Sequence, residues 1–364
     1  MDLKIQKNVT NSTGTVVKFA AIIIIIAGIK AAASFITPFL LAVFISVIAA
    51  YPMSWLDKKK VPHILSVILV LVFMLFILTL LGGVTGGSIA SFTQDLPSYE
   101  EKLKKIELEN LKTLDVLGFD FSEESILKSL DSSKILSFTA TILNSIGSLM
   151  GASFLILLTV MFILIESNTF SQKICLISSD PTASRAQMKK VVSGIRHYLS
   201  IKTLTSLSTG VLVAIWLSIL GVDYPILLGM IAFLMNYIPN IGSLVAAIPA
   251  FLLALIQLGP STAFWTAIGY LIINLIIGSF IEPRVMGKGM GLSTLVVFVS
   301  LIFWGWILGT VGMFLSVPLT MVAKIYFEAN DSTKWITVLL GSEENTSNAF
   351  SYFRSIPKKL MARK

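Results

Sequence analysis

Hydrophobic positions in this chain run in long unbroken stretches, and charged residues stand almost entirely between them. Charge-free runs occupy residues 31–56, 61–94, 135–165, 203–222, 224–281 and 289–323, with a shorter one at 19–29 between Lys18 and Lys30. A helix crosses the hydrocarbon layer with about 20 mostly apolar residues, so each long run predicts at least one span. The short first run predicts an anchored helix whose flanking lysines extend their ammonium groups to the interfaces. About eight hydrophobic segments result. Membrane β-barrel strands would alternate in segments of about ten residues, and these continuous runs exclude them. The predicted fold class is an all-α polytopic membrane protein.

Composition changes the picture only by removing the soluble alternative. The 364 residues are 55% hydrophobic and 13% charged, with mean hydropathy +0.86, against roughly a quarter charged in a soluble domain. Lys4, Lys7 and the apolar stretch Phe19 to Ile29 imitate a secretory signal. Lys30 breaks the cleavage context and another apolar run follows at once, which predicts an uncleaved helical pair. The single cysteine, Cys175, supports neither an internal disulfide nor a four-ligand zinc site. No cofactor is predicted.

Loops rich in Lys and Arg stay in the cytoplasm. Lys4, Lys7 and Lys18 place the N-terminus inside, and Asp57-Lys58-Lys59-Lys60 places the next loop inside. The following span then delivers Val84 to Ser145 outside, where ten acids face six lysines. Lys173, Arg185, Lys189, Lys190, Arg196 and Lys202 return the chain to the cytoplasm. The domains predicted are three membrane helices over 1–83, an external helical segment over 84–145, a transport core over 146–327, and a polar cytoplasmic tail over 328–364. Within the core, 181–200 is predicted as an amphipathic helix whose basic residues meet anionic lipid headgroups. The basic residues are spread over separate loops, which argues against nucleic acid as a partner.

Two hydrophobic runs carry helix breakers at matching places. Residues 226–258 contain Asn236-Tyr237-Ile238-Pro239-Asn240-Ile241-Gly242-Ser243 and then Pro249; residues 292–323 contain Trp304-Gly305-Trp306-Ile307-Leu308-Gly309-Thr310-Val311-Gly312 and then Pro318. Paired interruptions in two halves of a membrane protein point to a transport site. If each run crossed once, Arg284 and Lys288 would fall outside and break the charge rule. If each is a re-entrant hairpin, the basic residues stay inside and the two hairpins form an inverted repeat. Unwound backbone at membrane depth must find partners in protein or trapped water, and Asn236, Asn240, Ser243 and Thr310 are the candidates. Candidate pathway residues are therefore Asn236, Pro239, Asn240, Gly242, Ser243, Trp306, Gly309, Thr310 and Gly312. Serving only the freed carbonyls is the alternative role for the polar ones. No formal charge occurs from Tyr224 to Ile281, which favours a neutral, polyhydroxylated solute; half-helix dipoles and open carbonyls leave Na⁺ in view.

Glu166, Asp223 and Glu282 border the apolar runs. Glu282 is the first candidate for coupling, with Arg284 two residues on as the cation against which a proton or Na⁺ exchanges; a structural ion pair at headgroup level is the alternative. His63 and His197 have no ligand cluster beside them in sequence, so no metal site is predicted. No phosphate-binding Gly-rich loop with Lys is present, which disfavours ATP-driven transport. A sodium or lithium/proton antiporter stays open as an alternative, and a membrane-embedded enzyme as a remote one, since no dense catalytic constellation occurs.

Five stretches resemble a known family. They are Tyr198-Leu199-Ser200-Ile201-Lys202-Thr203, Asn236 through Ser243, Ile281-Glu282-Pro283-Arg284-Val285-Met286-Gly287, Gly291-Leu292-Ser293-Thr294-Leu295-Val296-Val297, and Leu301-Ile302-Phe303-Trp304-Gly305-Trp306 on through Pro318-Leu319-Thr320. Their order and spacing are similar to the bacterial autoinducer-2 exporter family. The resemblance implies an inner-membrane homo-oligomer that moves the quorum-sensing signal autoinducer-2 out of the cell. The segment 84–145 and the tail after Glu328 resemble the family least.

Overall fold

The computed structural model describes residues 17, 20–116, 153–167, 169, 172–173, 176–177, 180–239, 241–286, 291–329 and 333–341. Cys175, Asn240, Lys288, much of the segment 84–145 and the tail from residue 342 on lie outside the described residues. Every regular element described is helical, in the order α1 (Ala20–Ala31), α2 (Ala33–Lys58), α3 (His63–Val116), α4 (Ser153–Ser167), α5 (Pro181–Leu220), α6 (Pro225–Met235), α7 (Gly242–Leu258), α8 (Pro260–Asn274), a π-helical segment (Leu275–Ile281), α9 (Glu282–Met286), α10 (Thr294–Glu328) and α11 (Lys334–Leu340). Five stretches are long and apolar enough to cross a bilayer: Ala33–Lys58, His63–Phe92, Pro181–Leu220, Pro260–Met286 and Thr294–Glu328. Large apolar side chains such as Phe35, Ile64, Phe73 and Leu271 point outward. In water such a surface would aggregate; in lipid it is the solvated one. The chain is an all-α polytopic membrane protein.

Two helices outrun the segments expected of them. α3 continues past its apolar part, through Pro97, to Val116, about 80 Å at 1.5 Å per residue. α5 joins the expected surface helix and the next span into one rod of 40 residues. No helix-ending signal stands between the two, and both ends are capped. Asp180 Oδ1 accepts from the backbone N–H of Thr182 and of Ala183, each at 3.0 Å, ahead of Pro181. Gly221 at φ 74° closes the other end, donating its N–H to Leu217 and Ser218 carbonyls. A left-handed residue is required there, and glycine takes that conformation without cost.

The chain divides into two compact units, residues 46–291 and residues 1–45 with 292–364. In the first, α5, α6, α7 and α8 pack around Val213, Leu217, Leu228, Ile231, Ala246, Ala250, Ala254 and Tyr270. α5 and α6 meet backbone to backbone, since a Cβ on Gly210 would stand 2.7 Å from the Gly229 carbonyl oxygen, and one on Gly229 2.6 Å from that of Gly210. Lipid offers no hydrophobic drive for helices to associate, so close approach through small residues supplies the packing energy. Trp216 lies against Gly269 of α8 and donates its indole N–H to the Trp265 carbonyl at 3.1 Å.

In the second unit α10 folds back on itself at Gly309, whose φ of 69° and ψ of −151° are open only to glycine. Trp304 donates its indole N–H to Thr320 Oγ1 at 3.1 Å. Sixteen residues of straight helix would hold those groups about 24 Å apart. α10 is therefore a hairpin.

Candidate functional site

The run 226–258 is also a hairpin. α6 has 11 residues and so rises only about 16 Å, half the hydrocarbon layer. Residues 236–241 reverse the chain, and α7 returns beside it. The described residues of the turn bond to backbone close by: Asn236 N–H donates to Ala232 O, Ile238 N–H to Met235 O at 2.9 Å, Ile241 N–H to Pro239 O at 2.7 Å and Gly242 N–H to Ile238 O. Satisfied backbone is the condition for irregular structure at membrane depth. Gly242 makes the reversal tight, because a Cβ there would stand 1.7 Å from the Met235 carbonyl oxygen. In α10 the same device recurs, with Gly312 against the Trp304 carbonyl oxygen at 2.0 Å. Each hairpin then carries a fully buried proline in its second arm, Pro249 and Pro318.

Two polar residues of the first turn, Asn236 and Tyr237, reach α5. Asn236, buried, donates through Nδ2 to Ser206 Oγ at 3.0 Å. Tyr237 donates its hydroxyl to Thr203 Oγ1 at 2.8 Å. Pro239 and Ser243 are half-buried beside them. In α10, Trp306, Gly309 and Thr310 are exposed at the bend while Gly312 is buried, and Lys30 places its ammonium 3.9 Å from the centre of the Trp306 ring, a cation–π contact.

Glu282 lies at the start of α9, directly after the π-helical segment, and is paired with Lys202 of α5 rather than with Arg284. Lys202 Nζ donates to its Oε1 at 2.7 Å, and Thr205 Oγ1 to its Oε2 at 3.4 Å. The side chains are only 6% and 14% exposed, which makes this a buried pair. Arg284 instead lies 5.8 Å from the Phe280 ring. The other bordering carboxylates have local partners. Glu166 accepts from Lys173 at 2.7 Å on the surface. Asp223 joins a cluster not foreseen from sequence: Tyr99 of α3 donates to its Oδ2 at 3.1 Å, and its backbone N–H donates to Gln257 Oε1 at 2.9 Å. The Gln257 amide donates to Tyr99 and to Asp223, while Tyr224 donates to Asp95. This cluster ties the arm of α3 to both ends of the hairpin base. Burial raises the Tyr99 phenol above its ordinary pKa, as it does that of Tyr224. His63 Nδ1 sits 3.3 Å from Asp57 Oδ2. Among the described residues no group of three His, Cys, Asp or Glu could hold a metal ion.

Two helical hairpins, one with a buried polar turn, and a buried ion pair in an otherwise apolar bundle are the arrangement of a membrane transport protein. The chain belongs to the AI-2E family transporter family, whose profile matches residues 19–331. It is 40% identical over 346 residues to a putative transport protein of Haemophilus influenzae, covering 93% of this chain and 99% of that one. It is 36% identical over 324 residues to the putative transport protein YhhT of Escherichia coli, covering 89% and 93%. It is 38% identical over 331 residues to the AI-2 transport protein TqsA of Escherichia coli, covering 91% and 96%.

Proposed function

We propose that this protein is a secondary transporter of the inner membrane that exports autoinducer-2 or a similar small, neutral, polar solute. The observation that carries the reading is the α6–α7 hairpin. Its turn brings Asn236 and Tyr237 into hydrogen-bonding contact with Ser206 and Thr203 amid apolar helices, in a chain with an AI-2 transport protein among its relatives. Residues 224–281 carry no formal charge, so recognition there rests on hydrogen bonds, which suit a polyhydroxylated molecule. The solute-contacting residues are Asn236, Pro239, Asn240, Gly242 and Ser243. Both termini are cytoplasmic, following the lysine-rich loops, and the protein works as a homo-oligomer.

Glu282 couples export to a cation gradient. One elementary charge crossing 100 mV is worth about 2.3 kcal/mol, a solute ratio of roughly fiftyfold, so one coupled ion suffices. The test is autoinducer-2 flux in liposomes with and without an imposed pH or Na⁺ gradient. Gradient-dependent flux that drops in Asn236→Ala is expected. Cation exchange with no autoinducer-2 movement would overturn the reading.

A further inference from the structure

One turn of α5 holds two parts of the bundle at once. Lys202 and Thr205 hold Glu282, while Thr203 and Ser206 hold the tip of the hairpin through Tyr237 and Asn236. Resting on the transport reading above, we propose that Lys202–Glu282 is a proton-exchange switch. In it the lysine ammonium is the internal competitor of the transported proton, and the π-helical segment 275–281 is the hinge that opens the pair.

The ligand set selects a proton over Na⁺. Among the described residues the side-chain oxygens gathered at the site are the two of Glu282 and the Thr205 hydroxyl, with the Lys202 carbonyl 3.2 Å from that hydroxyl, whereas a hard metal cation gathers six or more oxygen ligands. A proton needs one. Other titratable groups facing Glu282 are few among the described residues: Tyr198 of α5 lies buried within its electrostatic reach, the π segment supplies none, and Arg284 of its own helix lies by Phe280.

The charge accounting makes protonation a mechanical event. A proton arriving from water bonds to the Oε1 atom of Glu282, and that oxygen stops serving as the anionic acceptor of Lys202 Nζ. A 6%-exposed ammonium is then left without a counter-ion, which is strongly unfavourable in a buried site. The two side chains must part, and the proton leaves to the opposite side when the pair re-forms. π-Helical turns recur at functional sites because they hold one residue more than an α-turn. Closing the segment to α geometry rotates α9 by about 100° around the axis, carrying Glu282 away from α5. The freed turn of α5 is the one that anchors Asn236 and Tyr237, so the hairpin tip is released at the same moment.

Two measurements on the full-length protein test the switch. In the first, the infrared carbonyl band of protonated carboxyl is followed in detergent as pH is lowered; a component absent from Glu282→Gln and shifted in pH by Lys202→Met is expected. In the second, the steady-state autoinducer-2 ratio across liposomes is measured under a pH gradient. One pH unit sustains about a tenfold ratio for one proton per solute, and the double variant Lys202→Met with Glu282→Gln, which leaves no orphaned charge, is expected to show equal concentrations on both sides. A double variant that keeps the full ratio, or a band that ignores Glu282, overturns the switch. Absence of autoinducer-2 flux in the wild type overturns the transport reading instead, and the infrared result then judges the switch alone.

Discussion

Replacing Gly242 with alanine asks whether the first hairpin is as tight as its geometry states. The added methyl would stand 1.7 Å from the Met235 carbonyl oxygen and 2.6 Å from its carbon, both backbone atoms that no rotamer change can move. Ordinary contact begins at 3.4 Å, so the arms must part by about 1.7 Å in a bundle packed to crystal-like density. Overpacking of this kind costs about 1–3 kcal/mol, a roughly 5- to 150-fold shift against the native hairpin. Gly87 supplies the control, because nothing stands within 4 Å of its Cβ position on a regular helix. There alanine gains up to about 1 kcal/mol of helix propensity. Chemical denaturation in mild detergent, paired with liposome flux, reads both variants. Gly242→Ala is expected to lose stability and flux while Gly87→Ala keeps or gains stability. Equal behaviour of the two would refute the tight-turn argument.

Lys202→Met alone is expected to destabilise the protein by about 3–5 kcal/mol, and more than the Lys202→Met, Glu282→Gln pair does, because the single change leaves a buried carboxylate unanswered; a double-mutant cycle of denaturation midpoints checks this. Tyr99→Phe keeps the ring packed on Phe92 but removes the hydroxyl shared by Asp223 and Gln257. It is expected to cost about 1–3 kcal/mol locally, seen as faster hydrogen exchange in α3 beyond Phe92. The same latch has a pH dependence of fixed sign. The Tyr99 phenol is raised above 10.0 by burial, so its contribution is complete below that pH and is lost as pH rises through the higher folded value; exchange in the α3 arm should accelerate only in strong alkali. Asp180 has the opposite sign. Hydrogen bonds from Thr182 and Ala183 lower its carboxyl below 3.8, so its cap is intact above that pH and fails as pH falls through the lower folded value, when the first turn of α5 should fray.

The membrane segments were legible because lipid imposes a one-dimensional rule. A run must be long and charge-free, and Asp57 and Lys60 mark such limits directly, between α2 and α3. Both hairpins were legible from their glycines and prolines, since Gly242 and Gly312 stand where chain reversal leaves no room for a Cβ. Helix length beyond the membrane was not legible: nothing in hydropathy distinguishes the end of a span from the end of a helix, and α3 runs on to Val116. Nor was the partner of Glu282. Arg284 is two residues away, but positions two apart on a helix do not face each other, and the answering cation lies 80 residues back on α5. Tyr99, Asp223 and Gln257 are likewise joined only by tertiary packing. The segment Leu275–Ile281 carries no sequence mark of its π geometry.

The contact of Gly210 with Gly229 makes the seam between α5 and α6 intolerant of any side chain. A Cβ at either position would meet the facing carbonyl oxygen at 2.7 or 2.6 Å, so the two backbones lie at a spacing that only a pair of glycines permits. A single added methyl group there changes the distance between two helices, and it shifts with it the turn that carries Asn236 and Tyr237 to Ser206 and Thr203.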